Sequence, residues 1–203
     1  MDLLPSGSRG LLVQLGDLDE VLALYAALLD DPLPGVVEVV PAAETILLVT
    51  EPGTSPEEVG RRVRAVTPRA GERAEGELDE VPVVYDGEDL DDLAELLGCD
   101  RDEVVRRHTA STWTVAFCGF APGFGYLTCD DGEWDVPRRP SPRTKVPPGS
   151  VALAGQFSGV YPRESPGGWQ LLGRTALDVF DLHREPAALL RPATRVRFVA
   201  VDR

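Results

Sequence analysis

Residues 117–127 read FCGFAPGFGYL, residues 137–155 read PRRPSPRTKVPPGSVALAG, and residues 158–175 read SGVYPRESPGGWQLLGRT. Residues 117–175 hold ten of the chain's 20 glycines and eight of its 18 prolines. Glycine reaches φ > 0 or lets a second backbone approach, and proline fixes φ and removes a donor. A stretch so rich in both, with aromatics and arginines between them, does not form helices. It predicts short strands joined by shaped loops, and such loops on a rigid scaffold are where binding and catalysis concentrate.

Charge sets the same stretch apart. The chain carries 34 acids and 20 bases, a net charge of −14. From Val136 to Thr175, six bases (Arg138, Arg139, Arg143, Lys145, Arg163, Arg174) face Glu164 alone. A local basic surface on an acidic protein points to a small anionic ligand. The overall charge argues against nucleic acid, whose phosphates demand a basic face. The lack of a long apolar run argues against a membrane span. The opening MDLLPSGSRG has no basic segment followed by an apolar one, so no signal peptide is expected. The cysteines, Cys99, Cys118 and Cys129, are odd in number and form no C-x-x-C pair, which fits a cytoplasmic location. Cys118 reads as a small buried hydrophobe. No His/Cys cluster has metal-ligand spacing, so no metal is expected.

Working outward, the N-terminal half alternates strand and helix. RGLLVQL (9–15) has a strand period, and Asp17 precedes a helix with Val21, Leu24, Tyr25 and Leu28 on one face. VVEVV (36–40) and TILLVT (45–50) read as a hairpin, and Ser55-Pro56-Glu57-Glu58 as a helix start. A polar loop at 69–80 leads to a strand at 81–85. The order β-α-β-β-α-β predicts a ferredoxin-like α/β sandwich over residues 1–86. Residues 87–203 form the second domain. It opens with two short helices, the first from Asp89 to Leu97 and the second from Asp100 to about His108. Strands are expected at 113–120, 150–154, 168–173, 177–182 and 195–201, a closed or folded-over β unit. The fold class is therefore α+β.

The familiar catalytic strings are absent: no G-x-S-x-G, no H-E-x-x-H and no phosphate loop. What remains is anion recognition. Arg138 and Arg143 stand in P-R-x-x-x-P-R on a proline-stiffened loop, where two guanidinium groups can clamp a carboxylate or phosphate. Arg174 adds a third positive charge nearby in sequence. Ser165-Pro166-Gly167-Gly168-Trp169 offers backbone N–H groups for an anion-binding nest. Phe120, Phe124, Tyr126, Tyr161 and Trp169 suit a pocket wall, with Gln156 and Thr175 orienting a polar ligand. His108, in the last turn of its helix, serves either as a cationic cap or in the site.

The three motif strings resemble one family in fixed order. It includes the B subunit of bacterial ATP-dependent 5-oxoprolinase, proteins labelled allophanate hydrolase subunit 1, and an inhibitor of a sporulation histidine kinase. The same domain pair occurs in the carboxyltransferase region of urea carboxylase. The resemblance implies a cyclophilin-like β-barrel for the second domain. It also implies a role in opening the lactam of 5-oxoproline to glutamate, with ATP as a substrate of the complex. Implied partners are a second allophanate-type subunit and a third hydrolase subunit. Two alternatives travel with the family: a non-enzymatic kinase inhibitor, and a subunit of an allophanate-type amide hydrolase. The chain departs from the family at TCDDGEWDV (128–136) and at AGQFSGVYP, where Phe157-Ser158 replaces the usual Gln-Thr. Gln156 thus stands one place from the family glutamine, and on a strand one place turns a side chain to the other face.

Overall fold

The computed structural model describes residues 1–68, 78–129 and 134–202. The chain folds as two compact units, Met1–Arg73 and Ala74–Arg203. Most of the loop expected at 69–80, and part of the acidic 128–136 segment, lie outside the described residues.

The first unit contains β1 (Asp2–Ser6), β2 (Gly10–Gln14), α1 (Leu18–Asp30), β3 (Val36–Pro41), β4 (Thr45–Thr50) and α2 (Pro56–Val63). Its antiparallel sheet runs β1-β2-β4-β3. Asp17 caps α1 by accepting the Glu20 N–H at 2.9 Å, while the Glu20 carboxylate accepts the Gly16 N–H at 2.8 Å. This reciprocal pair satisfies two donors that an uncapped helix end leaves open. Ser55 occupies the N-cap of α2, but its side chain makes no cap hydrogen bond. Leu18, Val21, Leu24, Ala27 and Leu28 form the buried stripe of α1, and Val59 and Val63 that of α2.

The expected βαββαβ order is not what forms here. The fourth strand of this sheet is β1, at the N-terminus. The strand expected at 81–85 belongs to the second unit as β5 (Leu78–Val83), so the boundary falls before it rather than at residue 86. The reason is pairing. β5 runs parallel to β13 (Arg195–Ala200) along its whole length, from Leu78 opposite Arg195 to Val83 opposite Ala200. Val81 and Val83 are fully buried in the second core. β1 gave no periodic signal because only Leu3 of its five residues is even partly buried.

The second unit continues with α3 (Leu90–Leu96), α4 (Arg101–Ala110), β6 (Trp113–Cys118), β7 (Gly125–Cys129), β8 (Arg143–Val146), β9 (Ser150–Ala154), β10 (Phe157–Val160), β11 (Ser165–Gly167) and β12 (Gln170–Arg174), and ends on β13. Seven strands form one sheet in the order β12-β9-β10-β7-β6-β13-β5, and β11 and β8 form a separate ribbon. The strand expected at 177–182 is reduced to a single bridge between Phe180 and Ala188. The two sheet edges meet. Val84, just past β5, donates to the Arg174 carbonyl and accepts from the Arg174 N–H, both at 2.9 Å. The Gly87 N–H then reaches the Leu172 carbonyl at 3.0 Å. The sheet is thus a nearly closed barrel, which leaves few strand edges unpaired.

Side chains alternate across the barrel wall, as strand geometry requires. All seven strands contribute to one core cluster, which includes Val81, Trp113, Leu127, Leu153, Val160, Leu172 and Phe198. This cluster is the barrel interior, and Leu90, Leu93 and Val104 of the two helices join it. Ala152, Ala154 and Leu171 face the other way. They pack with Phe124, Val146, Tyr161 and Trp169 in a second cluster.

The seam demands glycine. A Cβ on Gly173 would lie 2.2 Å from the Val84 carbonyl oxygen, and one on Gly87 would lie 2.2 Å from the Leu171 carbonyl oxygen. Both obstacles are backbone and cannot turn aside. Gly173→Ala is therefore expected to lower unfolding free energy by about 2–3 kcal/mol, the usual cost of overpacking. Urea denaturation checks this, and an unchanged midpoint would mean that the seam is not closed as described.

Candidate binding site

The site is built around a buried carboxylate. Asp89 occupies the N-cap position of α3 and is only 1% exposed. Arg143 binds it bidentately, Nη1 to Oδ2 at 2.8 Å and Nη2 to Oδ1 at 2.9 Å. Arg139 Nη1 also donates to Oδ1, and the Leu171 N–H donates to Oδ2 at 2.7 Å. Arg143 reaches Glu88 as well, at 3.0 Å. Burial alone would push the Asp89 carboxyl up. The Arg143 and Leu171 hydrogen bonds, with the charges of Arg143 and Arg139, outweigh burial and hold it below its ordinary value.

This network changes the reading of the arginine loop. The expected clamp of Arg138 with Arg143 does not form, because Arg143 is already neutralised by Asp89 and Glu88. Arg139 is spent in the same way. Arg138 is different. It is exposed, and it makes no hydrogen bond or ion pair with any described residue. Its charge acts on the hydroxyls of both Tyr126 and Tyr161. Burial raises the pKa of each hydroxyl, and Arg138 opposes that rise in both.

The tyrosines belong to a continuous aromatic shelf, whose inner rings Phe124, Tyr161 and Trp169 are buried and whose outer rings Tyr126 and Phe157 are half-buried. Phe124 meets Tyr161, Trp169 and Tyr126 edge to face, at centroid distances of 5.3, 5.3 and 5.1 Å. Phe157 meets Tyr126 at 5.6 Å. Phe120 closes one end, 5.3 Å from Phe124 and 6.2 Å from Tyr161, and remains 56% exposed. Its φ is +66°, a conformation that side-chain-bearing residues rarely adopt. The Ala121 N–H bonds the Gly119 carbonyl at 2.7 Å across it, the strained form of γ-turn. Backbone strain held by the surrounding structure clusters at functional sites. Here it holds a large apolar ring out toward solvent. The loop is fixed by Gly123, whose absent Cβ would lie 2.4 Å from Phe180 Cβ.

Among the predicted site residues, the structure thus gathers Phe120, Phe124, Arg138, Tyr161 and Trp169. The Ser165–Trp169 turn is not an open nest. Ser165 and Gly167 are paired with Val146 and Arg143 in the β8–β11 ribbon, and the Ser165 hydroxyl donates to the Arg163 carbonyl. Gly167 gives room to Tyr161, whose hydroxyl would lie 2.3 Å from a Cβ there. Gly168 accepts the Arg139 N–H at 2.8 Å and so anchors the arginine loop. Arg174 pairs with Asp86 at 3.1 Å, and the Thr175 hydroxyl accepts the Leu177 N–H, so both serve the barrel seam. Gln156 is exposed in the turn between β9 and β10. Phe157 stands on the shelf instead.

His108 is neither a cationic cap nor part of the shelf. It is fully buried, stacked on Phe198 at 4.4 Å and beside Trp113 at 4.9 Å. Nδ1 meets the Tyr85 hydroxyl at 2.7 Å, and Nε2 meets the Ser158 hydroxyl at 3.0 Å. Burial lowers its pKa to about 3, so the ring is neutral. Ser158 and Phe157 are neighbours on one strand and face opposite sides, so the barrel wall separates His108 from the shelf. Cys118 donates to the Leu190 carbonyl, and burial pushes its thiol up. Among the described residues no group of three or more His, Cys, Asp or Glu side chains could hold a metal ion. Sequence reading placed Asp89 at a helix start and not in the site, because the acidic run GEDLDD looks like a solvated helix start.

The profile of the carboxyltransferase domain, subdomain C and D, matches residues 1–190. The chain belongs to that family. It is 38% identical over 192 residues to the 5-oxoprolinase B subunit of Escherichia coli O157:H7, covering 92% of this chain and 87% of that protein. The 5-oxoprolinase B subunit of Bacillus subtilis (strain 168) is 36% identical over 200 residues, covering 90% and 82%. Among solved structures, TTHA0988 superimposes with a TM-score of 0.77 at 38% identity, over 96% of this chain. This chain spans about two fifths of that protein, 41% of its length.

The neutral His108 predicts a pH dependence. Its pKa is about 3 in the fold against an ordinary 6.5, so between those values the unfolded chain binds the extra proton. The stability it supports is complete above about pH 6.5 and declines toward pH 3, by about 1.4 kcal/mol per unit. Urea unfolding at pH 7 and pH 5 should show this loss in the native protein, and a shallower dependence in His108→Gln. Equal slopes would remove His108 as the cause.

Proposed function

We infer that this chain is the B-type subunit of a heteromeric ATP-dependent 5-oxoprolinase, acting in the cytoplasm on a small anionic substrate. The observation that carries this reading is the match to two 5-oxoprolinase B subunits over more than four fifths of their lengths. The geometry supports it. 5-Oxoproline is a small flat lactam bearing one carboxylate. Arg138 supplies one uncommitted guanidinium for that carboxylate, and a charge-assisted pair of this kind is short and strong. The exposed Phe120 and the half-buried Tyr126 and Phe157 offer an apolar surface for the ring, backed by the buried Tyr161, Phe124 and Trp169.

The half-site binds but has little with which to react. The His108 imidazole is neutral and lies behind the barrel wall, and burial pushes the Cys118 thiol up. The chemistry therefore depends on partners: a second allophanate-type subunit and a third hydrolase subunit, with ATP as a substrate of the assembled complex. The alternative of an allophanate-type amide hydrolase uses the same half-site with a different amide. A second reading, docking to a histidine kinase, is favoured by one observation, the strained and exposed Phe120 beside the shelf.

The assay is ATP-dependent release of glutamate from 5-oxoproline by the purified chain, with and without both partner subunits. The expected result is turnover only by the assembly. Arg138→Ala should raise KM at least about tenfold, since a hydrogen bond to a charged group contributes roughly 1.5–3 kcal/mol. Turnover by the chain alone, or an assembly with no activity toward 5-oxoproline, overturns the reading.

A further inference from the structure

The geometry points to Asp89 as the residue that keeps Arg138 available to ligand. This rests on the reading of Arg138 as the anion receptor. The loop from Pro137 to Pro142 contains three prolines and belongs to no strand. Proline offers no N–H, so such a loop can be held by few backbone bonds. Its anchors are the Val136–Gly155 bridge, the Arg139 N–H to the Gly168 carbonyl, and Gln170 Nε2 to the Pro137 carbonyl at 3.0 Å. The strongest tie is ionic and comes from the helix side: Asp89 holds Arg139 and Arg143, which bracket the loop's far half.

That tie decides which arginine is left over. Arg138 and Arg139 are consecutive, and only Arg139 turns to Asp89. Arg138 is instead left exposed, with no hydrogen bond or ion pair to a described residue. The cluster is balanced in charge, the buried Asp89 and the exposed Glu88 against two guanidinium groups (Arg139, Arg143). Without the Asp89 charge, Arg139 and Arg143 would be left in excess beside the shelf. They would compete with Arg138 for any anion, and the loop would lose its inner anchor. The Leu171 N–H would also lose its charged acceptor. Asp89 therefore acts through Arg138 and touches no ligand itself; it is a positioning residue.

The test is made in the assembled complex with 5-oxoproline as substrate, on D89N, R139Q, R138A and the D89N/R138A double variant. D89N keeps the shape and removes the charge. R139Q cuts one arm and leaves the bidentate Arg143–Asp89 pair to hold the fold, so it decides the matter if D89N does not assemble. The expected result is a KM raised about tenfold in D89N and R139Q with kcat changed less than about threefold. The double variant should be little worse than R138A, since residues acting through one group are not additive. A purely structural role would instead lower the active fraction, and so kcat, at unchanged KM. If R138A raises KM while D89N and R139Q leave it at the native value, the positioning role is overturned and the anion site stands. If R138A itself leaves KM unchanged, the anion site fails and this inference with it.

Discussion

The segment from Val84 to Asp89 lies along β12, and the functional face depends on that contact. Its backbone bonds run in step, Val84 with Arg174, Gly87 with Leu172 and Asp89 with Leu171. The same few residues close the barrel and bring one carboxylate under the arginine loop. Two of the glycines in this region are explained by the seam, since a side chain at Gly87 or Gly173 would collide with backbone across it. Close approach, rather than anion binding, accounts for much of the glycine that marks the sequence.

Asp89 is a buried charge whose carboxylate is well satisfied, although the buried Nε of its partner Arg139 has no hydrogen-bond partner. Its carboxylate receives four protein donors, from Arg139, from Arg143 twice and from Leu171. A buried ion pair adds little net stability over a well-packed apolar substitute, yet breaking one by removing a partner costs about 3–5 kcal/mol. Such a device serves geometry better than stability. It fixes two of three neighbouring arginines and leaves the third beside an aromatic shelf. The strained Phe120 at the shelf's end fits the same picture of a surface shaped for a ligand or a partner.

Local pattern made much of this legible. The strands at 45–50 and 150–154, the Pro56 helix start, and the β-rich character of the glycine- and proline-rich half all appear where pattern put them. Pattern did not reveal partners. Val81 and Val83 alternate as well for one sheet as for another, and only their parallel pairing with β13 at the far end of the chain assigns β5. The proline-rich spacing drew attention to Arg138 and Arg143 alike; their different fates follow from Asp89, which lies 54 residues from Arg143. His108 looked like a helix-end cation because its aromatic neighbours, Tyr85, Trp113, Trp134 and Phe198, are scattered through the sequence. The aromatics of the motif strings do come together, but Phe124, Tyr161 and Trp169 do so as a buried cluster, with Phe120 its exposed member.

The central claim is that this chain contributes a half-site in which Arg138 receives the ligand's carboxylate. The most direct measurement is a crystal structure of the assembled complex with 5-oxoproline bound. The carboxylate should lie within about 3 Å of the Arg138 guanidinium, a charge-assisted hydrogen-bond distance, with the lactam ring against Phe120 and Tyr126. A ligand seated away from this shelf, with Arg138 free or paired to the partner's acids, would contradict it.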